Sequence, residues 1–219
     1  MRDKGDNPKC GRGGGVLLAI KHGIRARRLC DLDLGYESPV IESLWVELSE
    51  IKSCETIILG VVYIPPTASL SEYNRFFTEI TERLSVQQNL LIMGDFNIPE
   101  FDYTITDYSR AFAQGTKCRE VYAFIYENQL TSYNKEANIM GCTLDLILGD
   151  IAGTKVSRGY SLVPKEDLYH PTLELEIPVQ LKYVRRKNDP VNIVKRNFRK
   201  ANYREMYGCL ADWNLDSLH

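Results

Sequence analysis

Apolar residues along the chain fall into short runs separated by turn-forming stretches, and the period of those runs changes from place to place. "KGDNPKCGRGGG" (4–15) is polar and glycine-rich, which predicts a loop, and Val16 to Ile20 then opens a strand candidate. "PVIESLWVELS" (39–49) and "ETIILGVVYIPP" (55–66) are rich in β-branched and aromatic residues, and Pro65 and Pro66 close the second. They predict two adjacent strands. Ser69 and Glu72 match a capping box, and Phe76, Phe77, Ile80 and Leu84 recur on one face, so an amphipathic helix is expected over 71–85. "LLIMGDFNIPE" (90–100) reads as a strand that runs into a polar loop through 100–115. A helix follows near 116–128, with Val121, Phe124 and Ile125 inward, and another strand at "CTLDLILGD" (142–150). In "TLELEI" (172–177) Leu173, Leu175 and Ile177 alternate with Thr172, Glu174 and Glu176, the period of a strand with one wet face. Strands outnumber helices without a regular βαβ series, so the expected class is an α/β or α+β sandwich with helices outside stacked sheets.

Composition narrows this picture only a little. With 219 residues, 44% of them hydrophobic, the chain is long enough for one domain with a sizeable core. No apolar run approaches the ~18 residues of a membrane span, and "MRDKGDNPKCGRGGG" lacks the apolar centre of a secretory signal. Cysteines 10, 30, 54, 118, 142 and 209 form no C-x-x-C pair and stand at no zinc-like spacing from His22 or His170. Reduced structural thiols of an intracellular protein are expected. The 27 basic and 29 acidic residues leave a formal charge of −2, so an anionic partner must be held by a local patch. One such patch is the stretch Lys182 to Lys200, with eight basic residues and a single acid. It reads either as a solvated linker or as a nucleic-acid backbone contact through Arg185, Arg186 and Lys187. The core domain is therefore bounded at 1–180, and 181–219 is a basic linker plus a helix over "ANYREMYGCLADW".

Four strand ends carry candidate chemistry. Asp95 and Asn97 lie two apart, so an extended chain through Phe96 points both to one side on a rigid support, and Gly94 leaves room for a ligand. The same residues are also standard turn formers. Tyr63 ends an apolar run, where its phenol suits either rim packing or donation to a phosphate oxygen. Asp145 stands among Leu144, Leu146, Ile147 and Leu148, and a carboxylate there is costly unless paired. His170, preceded by Asp167, is the imidazole such a carboxylate would orient. Glu47 reads as an outward-facing strand residue.

The ordered set "GGGVLLAIK", "IESLWVELS", "LGVVYIPP", "LIMGDFNIP", "CTLDLILGD" and "HPTLELEI" resembles the endonuclease domain of non-LTR retrotransposons. That domain is a branch of the endonuclease/exonuclease/phosphatase superfamily that includes the apurinic repair endonucleases, and the likeness covers about residues 12 to 178. The tail "RNFRKANYREMYGCLADWNLDSL" resembles the segment that joins such an endonuclease to its reverse transcriptase in arthropod elements. The resemblance implies a four-layer sandwich, two packed β-sheets flanked by helices, and a Mg²⁺- or Mn²⁺-dependent phosphodiesterase that nicks DNA in the nucleus. By the same resemblance Asp95 and Asn97 activate water and hold the phosphate, Tyr63 contacts the phosphate, and Asp145 orients His170. Asp167 stands three residues before His170 where the family has an adjacent acid, and it is either a metal ligand or a loop residue. The family's first strands, with a catalytic Asn and the principal metal-binding Glu, have no counterpart upstream of Val16. Weak metal affinity and impaired nicking are expected in consequence. The alternatives are a catalytically inactive relic that keeps some DNA affinity, or another phosphoesterase of the same superfamily.

Overall fold

The computed structural model describes residues 15–32, 40–49, 56–84, 89–105, 115–161 and 167–179. All belong to a compact unit that spans Met1–Val184. Arg185, Arg186, Lys187 and the helix expected beyond residue 200 lie outside the described residues.

β-branched and aromatic runs build the large sheet. β1 is Arg25–Arg28, β2 Glu42–Ser49, β3 Thr56–Tyr63, β4 Asn89–Asp95, β5 Thr131–Ser132 and β6 Asp145–Gly149, in the order β1-β2-β3-β4-β6-β5. β2 and β3 pair antiparallel, as adjacent strands of the pattern should, while β3 and β4 are parallel and β4 and β6 antiparallel. A second sheet of two strands is formed by β7 (Lys155–Arg158) and β8 (Leu173–Glu176).

Helix α1 (Leu70–Arg83) links the parallel pair, because antiparallel hairpins cannot join strands that run the same way. It starts at the expected capping box, with Ser69 N–H donating to Glu72 Oε2 at 2.6 Å and Glu72 N–H to Ser69 Oγ at 3.3 Å. α2 is Thr116–Glu127. Phe77 of α1 and Phe124 of α2 meet at a centroid distance of 4.8 Å, over Trp45, Ile58, Ile92 and Leu148 of the sheet. The opposite face, through Val46, Ile57, Leu59, Leu91 and Ile147, takes Val156, Leu173 and Leu175 of the small sheet. The result is a mixed α/β sandwich of two sheets, of six and two strands, with two helices. Among the described residues it has three layers, and both helices pack on one face of the large sheet.

One local expectation needs correction and another gains a structural cause. Val16 to Ile20 is not a strand. Leu18 packs on the core while Leu17 is 85% exposed, and no described strand supplies the ladder an extended segment needs. Gly94 has a packing role that the sequence pattern does not show. Its φ is +146°, and a Cβ there would overlap the Val62 carbonyl of the parallel neighbour, so glycine is demanded by the close approach of β3 and β4.

Candidate active site at the end of the large sheet

The sheet register assembles the site. Tyr63 is the Cα partner of Asp95, and Asp95 is the Cα partner of Asp145, so three residues from three strands form one transverse row. Because cross-strand partners share a face, all three project to the side of the small sheet. Glu42, partner of Tyr63, extends the row to β2. The pattern gave no hint of this fourth member, since register between distant strands is a tertiary property. The ladder continues one step past Asp95, where Phe96 N–H donates to the Leu144 carbonyl at 3.0 Å, and this fixes the two aspartates opposite each other.

Asp95 is held tightly. Asn97 N–H donates to its Oδ1 at 3.0 Å and Asn97 Nδ2 to its Oδ2 at 2.8 Å, while the same amide also donates to the Ile64 carbonyl at 2.8 Å. Asn97 has a φ of +51°, so the chain leaves the extended conformation here. One residue therefore turns the chain, as the turn reading expects, and holds the neighbouring acid. Both protons of the Asn97 amide are committed, so in this arrangement it orients Asp95 and has none to give a phosphate. Beneath the turn, Phe96 is fully buried and its carbonyl accepts from the Tyr73 hydroxyl of α1 at 2.5 Å.

His170 closes the site. Its Nδ1 lies 3.2 Å from both carboxylate oxygens of Asp145, and its Nε2 lies 3.8 Å from Asp95 Oδ2. Burial raises the pKa of both aspartates above 3.8. The imidazole opposes the shift at each, and each acid is further raised by a neighbouring carboxylate, Asp145 acting on Asp95 and Asp167 acting on Asp145. Two carboxylates drawn out of water beside an imidazole make a costly arrangement to hold without a task.

Ligating atoms of Asp95, Asp145 and His170 lie within 4.8 Å of one another, and the cluster is capable of coordinating a divalent metal. Asp167 is exposed and outside this trio; its Oδ1 accepts from Tyr169 N–H at 2.9 Å and its carbonyl from His170 N–H, so it shapes the turn that presents His170. Glu47 points away and pairs with Arg27 at 3.1 Å.

Two asparagines went unnoticed in the sequence. Asn134, 1% exposed, donates to the Asp145 carbonyl at 2.6 Å and accepts from Glu136 N–H, so it fixes the start of β6. Asn138 ties the preceding loop to the His170 turn. The Asn–x–x–Gly spacing of Asn138 and Gly141 was the available turn signal.

This fold has known counterparts. It matches the endonuclease domain of TRAS1, a telomere-specific non-LTR retrotransposon, at 14% identity and a TM-score of 0.51, over 72% of this chain and 69% of that one. An AP endonuclease from Archaeoglobus fulgidus matches at 12% identity and a TM-score of 0.39, over 61% of this chain and 65% of that one. No protein-family model matches the chain, and no curated protein matches it. At such identities the likeness concerns the fold alone. No helix among the described residues is long and apolar enough to cross a membrane.

Proposed function

We propose that the chain is a metal-dependent phosphodiesterase that nicks DNA, the endonuclease domain of a non-LTR retrotransposon polyprotein whose partner domain is a reverse transcriptase. The observation that carries this reading is the Asp95–His170–Asp145 constellation at the end of the large sheet. Mg²⁺ or Mn²⁺ held at Asp95, with water and phosphate in the rest of its shell, would neutralise charge developing on the phosphate oxygens. Asp95, gripped by Asn97, positions the attacking water and takes its proton. Asp145 fixes the His170 ring through Nδ1, which leaves Nε2 facing the space beside Asp95 where the phosphate would sit. Tyr63, next in the row, donates its phenol to a nonbridging oxygen. On this reading the protein acts on DNA in the nucleus.

Among the described residues the cluster holds two carboxylates, a number with which Mg²⁺ completes its shell from water and substrate phosphate. The test is nicking of supercoiled plasmid with Mg²⁺ or Mn²⁺, beside hydrolysis of a small phosphodiester. The reading expects metal-dependent nicking that Asp95→Ala lowers by about 10²–10⁴-fold. Nicking that survives the substitution would overturn it. DNA binding without cleavage would favour the relic, and cleavage of the small ester alone would favour a phosphoesterase with another substrate.

A further inference from the structure

His170 belongs to the turn before β8, while both acids sit on the large sheet, so something must hold the turn against the sheet end. Beyond the His170 contacts to the two acids, the side chains of this turn face solvent. Leu168 and Tyr169 are 53% and 54% exposed, and the turn's own hydrogen bonds, from His170 N–H to the Asp167 carbonyl and from Tyr169 N–H to Asp167 Oδ1, stay inside it. The bridge comes from the other side. Asn138 Nδ2 donates to the Tyr169 carbonyl at 3.3 Å, and the next residue, Ile139, donates its N–H to the Leu168 carbonyl at 3.1 Å.

Asn138 is itself locked into the loop that leads to Asp145. Its Oδ1 accepts from Met140 N–H at 2.9 Å and Cys142 N–H at 3.0 Å, and its own N–H donates to the Cys142 carbonyl at 2.8 Å. The side chain is 9% exposed and the orientation of its amide is fixed, because a flip would set its N–H₂ against two N–H groups and its oxygen against a carbonyl. One buried amide therefore joins the loop of one catalytic candidate to the turn of another.

We propose that Asn138 is a positioning residue for His170, the clamp that sets the imidazole at its distance from Asp145 and Asp95. The inference rests on the reading of those three residues as a hydrolytic site. Asparagine is required because the position needs an acceptor for two loop amides and a donor for Tyr169 on one short side chain. Asn138→Asp separates these duties: it keeps the acceptor and the shape, and replaces the donor by an oxygen facing the Tyr169 carbonyl. Asn138→Ser, whose hydroxyl can cap the loop but cannot span to the turn, is the milder companion.

Two readouts decide the matter. In amide-exchange and side-chain NMR of the full chain, both variants should speed exchange at Ile139 by about tenfold or more and move the His170 ring signals, with the His22 ring and the β6 amides unchanged. In plasmid nicking with enzyme in excess and Mn²⁺ present, the maximal rate should fall by about 10- to 100-fold while the half-saturating concentration holds. Unchanged exchange at Ile139 with an unmoved His170 ring would overturn the clamp. So would a maximal rate equal to wild type in a variant whose Ile139 amide has been freed. If the wild-type chain does not nick DNA and the variants still free Ile139 and move the ring, the clamp stands and the hydrolytic reading falls.

Discussion

Asp145 illustrates how chemistry and stability pull against each other at a single residue. Burial holds its folded-state pKa above the 3.8 of a free side chain, with His170 only partly offsetting the shift. The unfolded chain therefore releases its proton first as pH rises. The stability this carboxyl contributes is complete below the ordinary carboxylate range and is lost as pH climbs through the raised folded value. Asp145→Asn should accordingly melt at a higher temperature than wild type at pH 7, with the difference shrinking towards pH 3; a lower Tm at neutral pH would contradict this. A buried acid that costs stability is the usual trade at a functional site. Asp145 was legible in the sequence for the same reason, because an acid inside an aliphatic run has no cheap structural purpose. Asn138 and Glu42 were not legible, since the first looks like any turn residue and the second acquires its place only through the register of three strand pairs.

At the scale of elements, α1 does more than cover the sheet. Tyr73, fully buried, donates its hydroxyl to the Phe96 carbonyl in the turn between Asp95 and Asn97, which couples the helix to the floor of the site. Tyr73→Phe would leave that carbonyl without its partner, at a cost of about 1–3 kcal/mol in chemical denaturation. An unchanged midpoint would show that the contact carries no load. The capping box and the helix face of Phe76, Phe77 and Ile80 could be read from the pattern, because local hydrogen bonds and 3.6-residue spacing decide them. β5 and β7 could not. β5 is two residues of the sheet edge, and β7, "KVSR", carries too little apolar signal to stand out. Val16 to Ile20 failed for the converse reason, an apolar run with no described neighbour to pair with.

For the whole molecule, topology explains why the site lies where it does. The parallel step from β3 to β4 and the antiparallel return of β6 bring the end of two strands and the start of a third to one edge, where Tyr63, Asp95 and Asp145 stand abreast. The small sheet then carries the chain past this edge and delivers His170 just before β8. On the proposed reading Asp145 and His170 act as one unit beside Asp95, and a double-substitution cycle on plasmid nicking in Mn²⁺ measures their coupling. Groups that act together are grossly non-additive. His170→Ala is expected to lower the rate about 10²–10⁴-fold, and adding Asp145→Asn to lower it little further. Losses that multiply in the double variant, or a His170→Ala variant as fast as wild type, would contradict it.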